Sequence, residues 1–145
     1  MGILTANEAD MELQVVDCEF GAALRHEGLL HHLLYVGANC VFTVSGSRFS
    51  LGWRGHLLKS RAQRNLVLDN RLDDGPLGEA SYELEFPNGG HNVVVGNLIA
   101  QSAQTQNSDL LSMGDEARDG LAGSLVLAHN TLVNAVGAQA RFVHV

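Results

Sequence analysis

The residues best suited to chemistry lie in three short apolar segments that recur along the first two thirds of the chain. Tyr35, Lys59 and Glu85 occupy equivalent places in these segments, at nearly the same distance from a later polar residue. Arg61 lies two residues beyond Lys59. If the segments stack as neighbouring strands, one surface carries a phenol, two cations and a carboxylate. Such a surface, mixed in charge and partly aromatic, is suited to binding a carbohydrate chain.

A second set of candidates lies at the starts of the same segments. His56 and Tyr82 begin two of them, in line with His32. Glu83 lies two residues before Glu85, so both carboxylates are expected on one outward face of a strand. Glycosidases use two carboxyl groups about 5–9.5 Å apart, so a glycosidase pair is a further interpretation of these glutamates. The predicted substrate-binding residues are therefore Tyr35, His56, Tyr82, Glu83 and Glu85.

The seven histidines raise the question of a metal site, but their spacing does not support one. His31 or His32 could meet His56 on the next segment, and only one of the two can do so, because adjacent strand residues point to opposite faces. The sequence contains neither an HExxH motif nor a Cys/His zinc pattern. No Gly-rich loop opens a helix, and the glycines of PNGG at 87–90 fit a turn. We therefore expect no metal and no cofactor.

The elements that position these residues form a repeat that extends over the whole chain. Each unit has a short apolar strand, a turn, and a second apolar strand that ends in a small polar residue followed two places later by a large apolar one. The first strands lie at 2–6, 33–37, 56–60, 82–86, 110–114 and 141–145. The polar residues of the second strands are Cys18, Ser47, Asn70, Asn97 and Asn130, at intervals of 23 to 33 residues. Unequal repeats of strand and turn indicate a solenoid.

The register of the repeat favours a right-handed parallel β-helix of about five coils. A leucine-rich repeat places its leucines three and five residues before the Asn, whereas here aliphatic residues such as Leu66 and Leu68 lie four and two before Asn70. Leu66, Leu68, Asn70 and Leu72 are therefore expected on one face, where stacked Asn side chains can satisfy buried backbone groups. Val and Leu occur at both parities of the strands, as in parallel sheets. An antiparallel β-sandwich is the alternative fold.

Composition limits the classes of function. With 145 residues, 46% hydrophobic and 17% charged, the chain is expected to form one ordered domain over residues 1–145. A net charge of -7 argues against a nucleic-acid partner. The apolar runs are too short to cross a membrane, and no signal peptide is evident, so the compartment is either the cytoplasm or an exported form without its signal. Cys18 and Cys40 lack metal spacing, and two reduced, buried thiols are favoured over a disulfide.

The whole chain resembles the bacterial right-handed parallel β-helix repeat proteins of the pectate-lyase-like superfamily. The matching text is HHLLYVG, GHLLKSRA and ASYELEFPNGG. Members of that family are usually longer, are often exported and begin with a capping element, whereas this sequence opens and closes on strands without end caps. The resemblance implies a piece of a longer solenoid, or ends that other copies cover. Because exposed solenoid ends tend to associate, a homo-oligomer is expected.

A shorter resemblance concerns the active-site coils of chondroitinase B and related alginate lyases. It rests on GHLLKSRAQRNLVLDNRL and ASYELEFPNGGHNVVVGN. In those lyases a Lys-Ser pair at the end of a strand supplies the base that removes the proton next to a uronate carboxylate, and cations neutralise the enolate. The resemblance implies Lys59 as the catalytic base, with Arg61 or Tyr35 as helpers. Glu85 and its neighbours stand where those enzymes have an arginine, and WRGH stands in place of their acidic calcium ligands.

Three functions remain open at this point. The first is a carbohydrate-binding β-helix related to polysaccharide lyases, with catalysis absent or altered, and its partner is an oligo- or polysaccharide. The second is a structural module whose ends assemble with other copies. The third is an active uronate polysaccharide lyase that uses Lys59. The departure at Glu85 favours the first, since a lysine at position 59 is also expected to form an ion pair with Glu85 one coil away.

Overall fold

Every regular element is a β-strand in the part of the chain that the computed structural model describes, residues 2–117, 123–137 and 140–145. The strands are β1 (Ile3–Leu4), β2 (Glu12–Val16), β3 (Glu19–Phe20), β4 (Leu34–Val36), β5 (Val41–Ser45), β6 (Arg48–Phe49), β7 (Leu58–Ser60), β8 (Arg64–Leu68), β9 (Arg71–Asp73), β10 (Leu84–Phe86), β11 (His91–Val95), β12 (Leu98–Gln101), β13 (Asp109–Met113), β14 (Ser124–Ala128), β15 (Thr131–Asn134) and β16 (Arg141–His144). Over the same ranges, no helix is long and apolar enough to cross a bilayer.

The strands form three parallel sheets that stack as a β-solenoid. Sheet A contains β1, β4, β7, β10, β13 and β16, sheet B contains β2, β5, β8, β11 and β14, and sheet C contains β3, β6, β9, β12 and β15. Each turn of the chain therefore adds one strand to every sheet. The five strands of sheet B are separated by four turns, slightly fewer than the five coils expected from the sequence. The all-β class and the parallel β-helix predicted from the repeat are confirmed.

The corner between sheets B and C is formed by a residue with positive φ in each coil. These residues are Asp17, Gly46, Asp69, Gly96 and His129, with φ between 51° and 74°. They divide the second apolar segment of each repeat into two strands on different sheets, whereas the sequence pattern predicts one strand there. At Gly96 a Cβ would lie 2.0 Å from Asp69 Oδ1 in the coil before it, so a larger residue there would require the Asp69 side chain to move.

The polar residue that follows each positive-φ position belongs to a hydrogen-bonded ladder. The backbone N–H of Ser47 donates to Asn70 Oδ1 at 2.9 Å, and that of Asn70 donates to Asn97 Oδ1 at 2.8 Å. The N–H of Asn97 donates to Asn130 Oδ1 at 2.9 Å, and its side-chain Nδ2 donates to Val67 O at 2.8 Å. The prediction that the Asn residues stack and satisfy buried backbone groups is confirmed.

The strands of sheet B turn a different face to the core from the one expected. Val67 is fully buried, whereas Leu66 and Leu68 are half-buried on the outer face of the sheet. Asn70 is buried, but it does not follow the alternation of β8. The positive φ of Asp69, which lies between Leu68 and Asn70, shifts the alternation of inward and outward side chains by one residue. The expectation that Leu66 and Leu68 share a face with Asn70 is therefore wrong. The three-sheet topology, rather than this register, distinguishes the fold from a leucine-rich repeat.

The corner before sheet A turns two successive side chains into the core in the four coils that contain β4, β7, β10 and β13. Leu57 and Leu58 are both fully buried in the hydrophobic core. Glu83 occupies the place equivalent to Leu57 in the next coil, and its N–H donates to Leu110 O at 3.2 Å. Glu83 is consequently buried inside the solenoid, with no exposed surface. The expected outward face shared by Glu83 and Glu85 does not exist, because the chain still bends at this position and regular alternation begins one residue later.

The two cysteines are both free. Cys18 is exposed, and its Sγ lies 3.3 Å from Val16 O, whereas Cys40 is partly buried. The preference for reduced thiols agrees with this arrangement. The expectation that both are buried is wrong, because Cys18 lies in the first coil, on the outer edge of the Asn ladder.

Candidate functional site

The outer face of sheet A carries a column of polar side chains from four successive coils. Tyr35 is in register with Lys59 across β4 and β7, and Lys59 is in register with Glu85 across β7 and β10. Ser112 continues the column on β13. The alignment predicted for Tyr35, Lys59 and Glu85 is therefore present. Although they are on the outer face, Lys59 and Glu85 are only 7% and 3% exposed, because side chains that follow β13 fold over them.

Lys59 lies between two carboxylates. Its Nζ is 2.9 Å from Glu85 Oε2 on the neighbouring strand and 2.9 Å from Glu116 Oε1 in the segment after β13. The ion pair with Glu85 is the contact that strand stacking predicts. Burial raises the pKa of Glu85, and the contact with Lys59 acts in the opposite direction. A charge as well covered as that of Lys59 must be paired, and its Nζ contacts a carboxylate on each of two sides, Glu85 and Glu116.

Arg61 joins this cluster from the end of β7, with a separate partner for each of three nitrogens. Nε donates to Tyr35 Oη at 2.6 Å, and Nη1 donates to Asn88 Oδ1 at 2.6 Å. Nη2 donates to Glu116 Oε2 at 2.6 Å. The guanidinium also lies 5.7 Å from the centre of the Tyr35 ring. Because three groups fix its plane, Arg61 presents donors in set directions.

A ladder of three rings lies at the start of the same strands. His32 stacks on His56 with ring centres 4.6 Å apart, and His56 lies 5.1 Å from Tyr82. Nδ1 of His32 accepts the N–H of His56 at 3.0 Å, and Nδ1 of His56 accepts the N–H of Tyr82 at 3.2 Å. The ring protons are therefore on Nε2. His32, and not its neighbour His31, is the residue that meets His56, as expected for a strand on which only one of the two can face it.

Both imidazoles of this ladder are neutral at physiological pH. Burial lowers the pKa of His56 to about 2, and His32 and Lys59 add to the effect. Burial also lowers the pKa of His32 to about 4, with Lys59 and then Arg61 adding to it. His56 Nε2 lies 3.3 Å from Glu85 Oε2, so the ladder is connected to the ion pairs of the column. The loss of water around a charged imidazole is the main cause of both pKa changes, and the nearby Lys59 acts in the same direction.

Three further polar contacts close the cluster on the side of β13 and β16. Tyr82 Oη donates to Asp115 Oδ2 at 3.2 Å, and Ser112 Oγ donates to the same oxygen. His144 Nδ1 lies 3.5 Å from Asp115 Oδ1. Burial raises the pKa of Tyr82, and the charge of Asp115 contributes to that rise. The phenol is thus a hydrogen-bond donor at neutral pH.

A groove of about 350 Å³ opens beside Arg61, at the corner between sheets A and B. Its lining residues are Ala38, Arg61, Ala62, Gln63, Asn88, Gly90 and His91. Arg61 and Asn88 therefore belong both to the cluster and to the groove. Gly90, in the turn at 87–90, has φ 85°, and a Cβ there would lie 2.8 Å from Gln63 O, so the turn packs tightly against the previous coil.

Six of the seven residues singled out from the sequence lie together in this cluster. They are Tyr35, His56, Lys59, Arg61, Tyr82 and Glu85. Glu83 does not join them, because it is inside the core. The two oxygens of its carboxyl have no hydrogen-bond partner in the described chain, and burial raises its pKa well above the usual range, with the charge of Asp74 adding to the effect. A glycosidase pair of Glu83 and Glu85 is thus ruled out by the position of Glu83.

Of the cluster residues that were not anticipated from the sequence, three lie outside the repeated strands. Asn88, Asp115 and Glu116 lie in the turns after β10 and β13, outside the repeated strands. Only the PNGG turn gave a signal, and it indicated backbone geometry rather than a role for Asn88. Asp115 and Glu116 fall in a polar, Gly-rich stretch that has no counterpart in the other coils, so no register could align them with Lys59.

No protein-family model, no curated protein and no solved structure matches this chain. Within residues 2–117, 123–137 and 140–145, no group of three or more His, Cys, Asp or Glu side chains is arranged to hold a metal ion. The groups available for chemistry at this site are two cations, the two carboxylates that contact them, two neutral imidazoles and two phenols.

Proposed function

We propose that the protein is a carbohydrate-binding β-helix, related to the pectate-lyase-like superfamily, that binds an oligo- or polysaccharide along the outer face of sheet A. The observation that carries the proposal is the convergence of Arg61, Tyr35 and Asn88 at the edge of the groove of about 350 Å³. A preformed groove with a few fixed polar groups is the usual form of a small-ligand site.

The chemistry of these groups matches that of a sugar chain. Arg61, Asn88, Gln63 and His91 border the groove with donors and acceptors that can replace water around hydroxyl groups. The half-exposed Tyr82 ring offers an apolar face and a phenolic donor. Because neighbouring coils supply equivalent positions at strand spacing, about 4.8 Å, the surface can follow an extended polymer from coil to coil.

Binding without catalysis is favoured over lyase activity by the contacts of Lys59. A lysine that removes a proton must be neutral and must reach its substrate. The Lys59 ammonium is paired with two carboxylates, and its side chain is only 9% exposed. His56 is the neutral base next to Glu85, but its Nδ1 already accepts the backbone N–H of Tyr82. That nitrogen is therefore occupied and cannot take a proton from a substrate.

The test is isothermal titration calorimetry with acidic and neutral oligosaccharides, on the wild type and on Arg61→Ala. We expect binding by the wild type and at least about a tenfold loss of affinity in Arg61→Ala, because charge-assisted hydrogen bonds to the ligand disappear. Arg48→Ala is the matched control, since this substitution removes the same charge from the exposed outer face of sheet C. Its affinity should equal that of the wild type.

The same oligosaccharides, with Lys59→Ala as an additional variant, distinguish the remaining functions. Ultraviolet absorbance of an unsaturated uronate, formed by the wild type and not by Lys59→Ala, would make the protein a lyase. No binding of any oligosaccharide would overturn the proposal and leave the structural, self-assembling module as the better interpretation.

A further inference from the structure

Glu116 differs from Lys59, Arg61 and Glu85, the other charged residues around the two cations, in its origin and exposure. Lys59 and Glu85 come from strands of sheet A and Arg61 directly follows one, whereas Glu116 comes from the segment after β13. The Glu116 side chain is 46% exposed, and those of Lys59 and Arg61 are 9% and 19% exposed. The carboxylate thus lies at the solvent side of two covered cations.

The two oxygens of Glu116 are divided between the two cations. Oε1 lies 2.9 Å from Lys59 Nζ, and Oε2 lies 2.6 Å from Arg61 Nη2. The hydrogen bond from Arg61, and then that from Lys59, lowers the pKa of Glu116. A carboxylate held by one donor on each oxygen has the geometry of a bound anionic ligand.

The positions of the cations do not depend on Glu116. Lys59 keeps its ion pair with Glu85, and Arg61 keeps its hydrogen bonds to Tyr35 and Asn88. With Glu116 in place, the two cations contact two carboxylates, Glu85 and Glu116. Without Glu116, the remaining side-chain partners of Arg61 within the described residues, Tyr35 and Asn88, carry no carboxylate, and a ligand with a single carboxylate can take the vacated position.

We infer that Lys59 and Arg61 form a carboxylate-binding site, that Glu116 occupies this site in the free protein, and that the carboxylate of an acidic sugar binds there by displacing Glu116. The identity of the ligand as a sugar rests on the proposed function, while the carboxylate site does not. Arg61 belongs to the groove as well as to the site. A uronate ring in the groove can therefore place its carboxylate against Arg61.

The carboxylate site is tested with acetate alone. Acetate is titrated into the wild type, Glu116→Ala and Glu116→Gln, and the Nε–H signal of Arg61 is followed by nuclear magnetic resonance. In both variants we expect a saturable shift at acetate concentrations at least about tenfold lower than in the wild type, because the intramolecular competitor is gone. Glu12→Ala, which removes an exposed carboxylate from the outer face of sheet B, should behave as the wild type.

The sugar is tested by calorimetry with a galacturonate trisaccharide and its methyl ester. The acid should bind Glu116→Ala at least about tenfold more tightly than it binds the wild type, whereas the affinity of the uncharged ester should be the same for both proteins. Thermal melting of each variant establishes that it is folded, and Glu116→Gln, which keeps the size of the side chain, replaces Glu116→Ala if the latter melts early.

The outcomes separate this inference from the proposed function. Acetate binding by the variants without any sugar binding would support the carboxylate site and overturn both the acidic sugar and the proposed function. Equal affinity of wild type and variant for the acidic trisaccharide would keep the proposed function and overturn the inference. No acetate shift at Arg61 in folded variants would also overturn it, whatever the sugars do.

Discussion

Glu83 shows what one ionisable residue does to a repeated core position. The equivalent places in the coils on either side are filled by Leu57 and Leu110, both fully buried. Burial raises the pKa of Glu83 well above its usual range, with Asp74 as the next cause. In the unfolded chain the carboxyl ionises near its ordinary pKa of about 4.3. The contribution of Glu83 to stability therefore becomes less favourable as the pH rises from that value towards the raised pKa of the folded state.

We predict that Glu83→Leu stabilises the protein at pH 8. Leucine has nearly the volume of glutamate and restores the apolar column, so the free energy of unfolding should increase by about 2 kcal/mol. Between pH 5 and pH 8 the variant should also lose less stability than the wild type. Urea unfolding at the two pH values measures both effects.

The matched control for this change is Glu85→Leu, two residues further along the chain in β10. It leaves Lys59 without its partner on the neighbouring coil and should lower the free energy of unfolding by about 3 kcal/mol. If Glu83→Leu were no more stable than the wild type at pH 8, the interpretation of Glu83 as an unfavourable core carboxyl would be wrong.

His56 gives a pH dependence of the opposite sign. Its pKa is about 2 in the folded protein, lowered by burial and then by His32 and Lys59, against about 6.5 in an unfolded chain. As the pH falls below 6.5, only the unfolded state takes up this proton, so stability is lost. For one histidine the loss between pH 7 and pH 5 is about 2 kcal/mol.

We therefore predict that the free energy of unfolding of His56→Asn changes less between pH 7 and pH 5 than that of the wild type. Asn keeps an acceptor for the N–H of Tyr82 but does not titrate. Denaturant titrations at both pH values give the difference, and the exposed His26 supplies the control variant His26→Asn. An unchanged difference in His56→Asn would show that the imidazole is not the source of the effect.

At the scale of the elements, the Asn ladder connects the coils at the corner between sheets B and C. We predict that Asn97→Ala lowers the free energy of unfolding by about 2–3 kcal/mol. The change removes the acceptor of the Asn70 N–H and the donor to Val67 O, and buried groups without partners are costly. Thermal and urea denaturation provide the measurement.

Asn97→Ser is the variant that identifies the cause. Ser47 already performs the acceptor role in an earlier coil, where its Oγ accepts the N–H of Cys18 at 3.1 Å. A serine at 97 should therefore recover part of the stability that alanine loses. Equal losses in the two variants would mean that packing volume, and not the hydrogen bonds, determines the effect.

The repeat made the strand residues of the site predictable, but not the residues at its corners and turns. Tyr35, Lys59 and Glu85 could be aligned because their distances to the ladder residues are nearly constant from coil to coil. Glu83 was misplaced because two successive residues face inward at a corner, which breaks the alternation that a strand implies. Glu116 lies in a turn that no other coil reproduces, and its role depends on a tertiary contact that spacing cannot show.

At the scale of the whole molecule, the coil that contains β14, β15 and β16 is the least well covered. Leu127 is in register with Val94, which is fully buried, yet Leu127 is 38% exposed. Phe142 lies opposite the buried Leu110 and is 49% exposed. In the described chain each of these three strands has a hydrogen-bonded neighbour on one side only. Apolar side chains and unpaired strand edges at the same place favour association.

We therefore predict that the homo-oligomer expected from the sequence forms through the coil that contains β14, β15 and β16. The 145-residue chain should show a molar mass that rises with concentration in static light scattering. The double variant Leu127→Lys/Phe142→Lys should remain monomeric at the same concentrations, because it places two charges on the surface that association would bury. Leu77→Lys, at a residue 64% exposed in the turn after β9, makes the same kind of change elsewhere and should associate like the wild type. A concentration-independent monomer mass for the wild type would contradict the prediction. Association that persists in the double variant would move the contact to another face, for which the aliphatic outer side of sheet B around Leu66 and Val93 is the next surface to change.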